Sequence, residues 1–350
     1  MTQLNNNNIV SELGWTRIFT NLNLIDKLRK VETIVIKTNF ASGSTADPKR
    51  HIVIDLEFLS DLIKNLCLIN HNAILYIAEG DSTDYGFAFL KFEHLGLPGS
   101  LYLDESTLKR VQLLDLSRDE LVRITDGRFL YFNSINRQLW LSKTLTRADF
   151  VISLTNLKTH SITGYTGACK NLFGCLPDTN KSIYHPFIHE VIHDLTLAIS
   201  PSLSIVDAFY AMERNGPCQG DDIDLGFRLY SDDALEADIQ ALLSVGLNPL
   251  SIKYIKLLTL TNHFDFSAIV EATRNYELKI RKPQRFLRMM NSVGLTIQRF
   301  GQSIASFGHA IHTSNNLLVL MVTIIRPILI GLFGIDELKL IKKKFEKWYH

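Results

Sequence analysis

Short apolar runs alternate with longer amphipathic stretches through the first two thirds of the chain, and each run ends in a polar cluster. Ile34-Val35-Ile36 has the look of a buried strand and empties into Lys37-Thr38-Asn39. A loop containing Gly43 and Pro48 follows, and apolar positions at helical spacing then predict an amphipathic helix over residues 54–68. Residues 74–77 predict a second strand, ending in Glu79-Gly80-Asp81-Ser82-Thr83. This strand–loop–helix–strand rhythm predicts a partly parallel sheet. Residues 101–103, 111–116 and 139–145 read as further strands, antiparallel with polar turns. Residues 150–154 predict another strand. A helix is expected over 185–198, with Pro186 in its first turn. Residues 203–206 predict a strand running into Asp207, residues 234–245 a helix, and Pro249 the opening of one more. The expected class is α/β: a mixed, largely parallel sheet flanked by helices, with Rossmann-like halves and a helical C-terminal extension. No internal repeat is seen.

After about residue 278 the pattern changes. Lys279, Arg281, Lys282, Arg285 and Arg288 crowd into ten residues, interleaved with Ile280, Phe286, Leu287 and Met289. Residues 317–335 are apolar except for Thr323 and Arg326, and the chain closes on Lys342-Lys343-Lys344 and Trp348-Tyr349. Three segments are therefore expected: an N-terminal extension (1–30), an α/β domain (31–278) and a basic, hydrophobic helical tail (279–350).

Composition adds one asymmetry. Of 350 residues 46% are hydrophobic and 21% charged, which is ample for a core and argues against wholesale disorder. The net charge of +1 conceals an uneven distribution. Residues 277–350 hold twelve Lys/Arg and four Asp/Glu, a net +8, and the remainder holds 25 basic and 32 acidic residues, a net −7. An anionic partner is expected for the tail. Nucleic acid is not the expected partner, because the basic cluster lacks a reading motif. An anionic membrane surface is. At a bilayer centre Arg326 costs roughly 2.5–3.5 kcal/mol, offset by about 0.3–0.6 for each Leu, Ile, Val or Phe. Pro327, Gly331 and Gly334 suit a bent or interfacial segment, with a core helix packed on the sheet or on a second subunit as the alternative. The first thirty residues lack a signal-peptide pattern. Cys67, Cys169, Cys175 and Cys218 form neither a disulfide framework nor a zinc or iron–sulfur spacing. A reducing cytoplasm is expected, with peripheral attachment to the inner face of the cell membrane.

The chemistry-bearing residues gather between 150 and 220. His160 ends a strand beside Lys158, and these two with Lys170 are the catalytic candidates; imidazole suits proton transfer or metal binding, or a plain bond to a loop carbonyl. Lys170 follows Gly164 and Gly167, whose bare backbone lets N–H groups approach an anion. Cys175 is a candidate soft ligand or a small buried hydrophobe. His185, His189 and His193 recur every four residues on the expected helix, with His185 as the metal candidate and Glu190 and Asp194 as supporting oxygens. Lys37, Asn39, Glu79 and Asp207 stand at strand ends, where open α/β sheets hold their ligands, and with Gly164, Gly167 and Asn171 they are the ligand-binding candidates. A small anionic ligand in a cleft at the strand C-termini is expected.

By these motifs the chain resembles a bacterial and archaeal family known as domain of unknown function 362. The resemblance rests on Lys158-Thr159-His160, on Thr166-Gly167-Ala168-Cys169-Lys170-Asn171-Leu172-Phe173-Gly174, and on Asp207 followed by Asn215-Gly216-Pro217. It covers roughly residues 31–258. Many members carry ferredoxin-like iron–sulfur modules, but no cysteine follows Cys218 here, so an intrinsic ferredoxin cluster is not expected. His160, Gly164, Gly167, Lys170 and His185 are also similar in order to the nickel-pincer lactate racemase family. That likeness implies Lys170 as a cofactor anchor, His185 as a divalent-metal ligand and His160 as an acid/base. Three readings stay open: an enzyme acting on a small anion, a non-catalytic ligand-binding or iron–sulfur accessory protein, and a membrane-associated assembly partner; a homo-oligomer is compatible with each.

Overall fold

The computed structural model describes residues 14–40, 53–82, 87–134, 137–214, 216, 220–264, 267, 279–283, 289 and 291–296. Its centre is a sheet of β1 (Thr33–Lys37), β2 (Ile74–Glu79), β3 (Val111–Asp115), β6 (Phe150–His160), β7 (Gly164–Thr166), β8 (Leu203–Glu213) and β9 (Asp221–Ser231). The order is β3-β2-β1-β6-β8-β9, with β7 hanging on β6. Pairs among β3, β2, β1, β6 and β8 are parallel, and β9 and β7 join antiparallel. A separate two-stranded antiparallel ribbon joins β4 (Leu121–Ile124) and β5 (Leu139–Ser142).

Alternate residues of the central strands face two apolar layers. On one face Ile34, Ile36, Leu75, Ile77, Ile152 and Leu154 pack under α1 (Trp15–Asn21), α2 (Ile25–Leu28), α3 (Leu56–Ile69) and α4 (Ala88–His94). On the other, Val35, Ala78, Val151 and Val206 meet α7 (Ala168–Asn171), α8 (Ile188–Ile199), α9 (Ala234–Ser244) and α10 (Lys253–Thr261). Burial on both sides explains why these strands read as continuous apolar runs. The short helices α5 (Glu105–Leu108) and α6 (Lys143–Arg147) complete the order. Asp55, Asp104, Ser142 and Asp233 cap the starts of α3, α5, α6 and α9 through their side chains.

Four elements differ from the sequence expectation. Residues 101–103 form no strand. Residues 139–145 divide into β5 and α6, because Ser142 caps a helix through its hydroxyl. β3 is parallel and belongs to the main sheet. The expected helix at 185 begins instead at Ile188, since Lys181–Phe187 forms a 3-10 turn. Of the C-terminal segment, Ile280 is buried, and Lys279 N–H and Arg281 N–H donate to Val245 O and a Glu213 carboxylate oxygen at 3.0 and 2.6 Å. Residues 289–350 form a second unit, of which residues 291–296 are helical. Thr83, Asn215, Pro217, Cys218 and the apolar run at 317–335 lie outside the described residues.

Candidate functional site

The chain runs β1, β2, β3 outward in one direction and then returns to place β6 on the opposite side of β1. The order therefore reverses between β1 and β6, and beyond the carboxyl ends of strands at such a switch point is where doubly wound sheets hold ligands. β1 stops at Lys37, registered with Ser153, while β6 runs seven residues further. Polar side chains fill the step.

Lys37, Asn39, Glu79, Lys158 and Asn171, all nominated from sequence, meet there in one hydrogen-bonded network. Lys37 Nζ donates to Glu79 Oε1 at 2.7 Å and to Thr38 O at 2.5 Å. The other oxygen of Glu79 accepts Phe40 N–H at 2.9 Å. Asn171, from α7, donates to Lys37 O at 2.9 Å, and its Oδ1 accepts from Asn39 at 3.4 Å. Asn39 Oδ1 in turn accepts from Lys158 Nζ at 2.9 Å. Burial alone would push the Glu79 carboxyl up. The ammonium groups of Lys37 and Lys91, with hydrogen bonds from Lys37 and Phe40, overcome it and hold Glu79 at about 2.

Two further lysines, which sequence reasoning missed, close around Gly80. Lys91 Nζ donates to Gly80 O at 2.7 Å. Lys181 Nζ donates to Asp81 O and, at 3.1 Å, to Gly174 O. Lys37, Lys91 and Lys181 are 1%, 4% and 6% exposed. Burial and the neighbouring Lys91 bring Lys181 down to about 8, and burial likewise lowers Lys91. Asp81 is turned elsewhere: its carboxylate accepts Ala88 N–H at 2.8 Å and Arg118 at 3.0 Å. Among the described residues, then, one carboxylate, Glu79, pairs directly with this group of cations, through Lys37. The backbone is as close as it can be here, since a Cβ on Gly80 would lie 2.3 Å from Gly174 O and one on Gly174 2.9 Å from Lys37 Nζ. Lys91 was legible in principle, because it shares the inward face of α4 with Ala88 and Phe92. Lys181 had no apolar pattern to mark it.

The other sequence candidates lie around this network or away from it. His160 is buried at the end of β6, and its Nδ1 accepts the N–H groups of Ile162 and Thr163 at 3.1 and 3.3 Å, which assigns the ring proton to Nε2. Lys170 is half-buried on α7. Gly164 has φ +85°, and a Cβ there would meet Ile252 at 2.9 Å. Gly167 makes room for a residue of the protein itself: a Cβ would sit 2.1 Å from Asp238 Oδ1. Asp238 occupies the start of α7, accepting Ala168 N–H at 2.6 Å, Cys169 N–H at 3.0 Å and the Tyr165 hydroxyl at 3.2 Å. Burial lifts this carboxyl to about 7 against those bonds. Asp207 pairs with Arg228 at 3.1 Å.

The three histidines expected on one helical face part company. His185 stacks on Phe173 and His189 on Tyr254, while His193 bonds Asp194 and Thr261 at 2.8 Å each. Asp194 also accepts the N–H groups of Leu130, Tyr131 and Phe132. Cys175 is sealed, and burial, outweighing Lys37 and Lys181, pushes its thiol up to about 12. Among the described residues no group of three or more His, Cys, Asp or Glu converges to hold a metal ion.

Comparison with known proteins agrees on the family. The model of the family described as "Domain of unknown function (DUF362)" matches residues 34–242, well over half of the chain. The chain is 34% identical over 152 residues to a thylakoid-associated protein of Synechocystis sp., a match that takes in 41% of this chain and 46% of that protein. The chain thus spans less than half the length of that relative. Among solved structures, the lactate racemase apoprotein from Thermoanaerobacterium thermosaccharolyticum superposes with a TM-score of 0.44 at 12% identity, over 67% of this chain and 56% of that chain.

Proposed function

The chain belongs to the DUF362 family, and we propose that this member binds a small anionic molecule beyond the carboxyl ends of β1 and β6. One observation carries the reading. Three lysine ammonium groups are buried together, and among the described residues a single carboxylate pairs directly with any of them. Buried charge is costly unless it is balanced. The acid group of a ligand, a carboxylate or phosphate, supplies the balance. Lys158 and His160, two residues apart on one face of β6, stand next to this network.

The test is calorimetric titration and thermal denaturation of the full chain with inorganic phosphate and pyrophosphate. A ligand at a hundred times its Kd raises folding stability by about 2.7 kcal/mol. Binding by the native protein, weakened at least about tenfold in both Lys91→Met and Lys181→Met, supports the reading, since loss of a charged hydrogen-bond partner is worth roughly 1.5–3 kcal/mol. Native protein that binds neither anion refutes it.

A second reading concerns the tail and is independent of the first. The net charge of +8 over residues 277–350, together with the apolar run at 317–335, favours peripheral attachment to an anionic membrane. The name of the thylakoid-associated relative supports it. No helix among the described residues is long and apolar enough to cross a membrane.

A further inference from the structure

Two buried polar atoms beside Lys158 have no hydrogen-bond partner. They are Asn156 Oδ1 and Thr166 Oγ1, on residues that are each 2% exposed. A buried acceptor without a donor costs stability, and native structures keep few of them. These two occupy related positions. Asn156 lies two residues before Lys158 on β6, and the register shift between them puts the extra residues on β8 (Asp207 to Met212), so both side chains leave the same face of β6. Thr166 is the register partner of Lys158 across the antiparallel β6–β7 pair, which puts it on that face too. Both oxygens therefore flank the one lysine that reaches the polar network from β6 and donates to Asn39.

The next strand continues the row. Asn156 is registered with Asp207, a buried carboxylate that burial pushes up and that Arg228 and Phe209 N–H hold by hydrogen bonds. Asp207 is thus committed to the protein, while the Asn156 carbonyl oxygen beside it is not. A bare anion has no proton to give to Asn156 Oδ1. A hydroxyl or amino group does, and Thr166 Oγ1 can accept from a donor or give its own proton to an oxygen.

We propose that Asn156 and Thr166 recognise a hydroxyl or amino group carried next to the acid group of the ligand, so that the site selects donor-bearing anions over bare ones. This rests on the anion-binding reading above and adds the second half of the ligand to it: the ammonium groups hold the acid, and the two orphaned oxygens read what is attached. A site that hydrogen-bonds a ligand hydroxyl discriminates sharply against the analogue that lacks it, because its own polar groups are then left unpaired.

Calorimetric titration of the full chain with sn-glycerol 3-phosphate, O-phosphoethanolamine and n-propyl phosphate tests this. These three share a phosphate monoester and differ in the donors near it. At least one of the two donor-bearing esters binds native protein at least about tenfold more tightly than propyl phosphate, as expected for buried partners gained. The ratio collapses to within about threefold in Asn156→Leu and in Thr166→Val, each nearly isosteric. Two variants are used so that one misfolded protein does not decide the matter, with circular dichroism reporting the fold of each. Propyl phosphate binding as tightly as both other esters to native protein overturns this proposal and leaves the anion reading standing. A preference that survives in every folded variant overturns it in the same way. If native protein binds none of the three esters, this proposal falls, and the phosphate and pyrophosphate titrations decide the anion reading separately.

Discussion

Glu79 is 4% exposed, and its carboxylate bonds to Lys37 Nζ and Phe40 N–H. Its folded value of about 2 lies below the ordinary 4.5 of the unfolded chain. Between those limits the unfolded chain binds a proton that the folded protein does not. The stabilisation is complete above about pH 4.5 and is lost as the pH falls toward 2. Glu79→Gln is expected to lower stability at pH 7 by about 3–5 kcal/mol, because it leaves Lys37 buried without a counter-charge. Urea denaturation of both proteins at several acid pH values should show the gap narrowing through this window, and a gap constant from pH 7 to pH 3 contradicts the assignment. Asn156 works in the opposite direction. Asn156→Leu removes an unpartnered buried oxygen, and the ligand-free protein should gain about 1 kcal/mol, read as a higher denaturation midpoint. A loss of stability instead would mean that the amide is structurally satisfied.

At the scale of elements, α7 is four residues long and carries Asn171 into the polar network, so its position matters more than its length. Asp238 fixes it by accepting the N–H groups of Ala168 and Cys169 at its start. The sequence motif was legible here, and its meaning was not. Gly167 reads as room for a ligand's anion, whereas the space is taken by a carboxylate seventy-one residues along the chain, which no local pattern announces. Gly167→Ala should destabilise by about 3 kcal/mol or more, as its Cβ would fall 2.1 Å from Asp238 Oδ1 and 2.3 Å from the Tyr165 hydroxyl. Gly127→Ala is the matched control, with nothing within 4 Å of its Cβ and a change near zero expected in the same melting experiment. A Gly167→Ala protein as stable as the control would mean that the α7 start is loose. Long-range contacts decide β6 as well. Its first half, Phe-Val-Ile-Ser-Leu, announces itself by hydrophobicity. The second half, Thr-Asn-Leu-Lys-Thr-His, carries no apolar run, and it stays extended because β7 folds back on it and β8 lies beside it. β9 was legible but overlooked, since Ile223, Leu225, Phe227 and Leu229 alternate with polar residues at the period of a half-exposed edge strand.

For the whole molecule, the class of fold and the end of the sheet that carries the polar network follow from apolar runs ending in Lys37, Glu79 and Lys158. The strand order that makes β1 and β6 neighbours depends on long-range pairing and is not encoded locally. Charge is the other property of the whole chain, and it separates along the sequence, with −7 before residue 277 and +8 from there on. Near an anionic bilayer each Lys or Arg contributes about 1 kcal/mol, while the acidic body is repelled. Both effects are screened: the Debye length shrinks from about 10 Å at 0.1 M salt to about 3 Å at 1 M. The full chain should therefore co-sediment with phosphatidylglycerol vesicles at about 0.1 M salt and be mostly released at about 1 M, while neutral phosphatidylcholine vesicles retain little of it. Reversing charge at Arg285, Arg288, Lys343 and Lys344 to Glu changes the tail from +8 to 0 and should abolish the salt-sensitive fraction. Retention at high salt, equal on neutral and acidic vesicles and unmoved by the charge reversal, would assign attachment to the apolar run at 317–335 in place of the basic residues. A chain that stays in the supernatant with acidic vesicles at low salt would remove the membrane reading altogether.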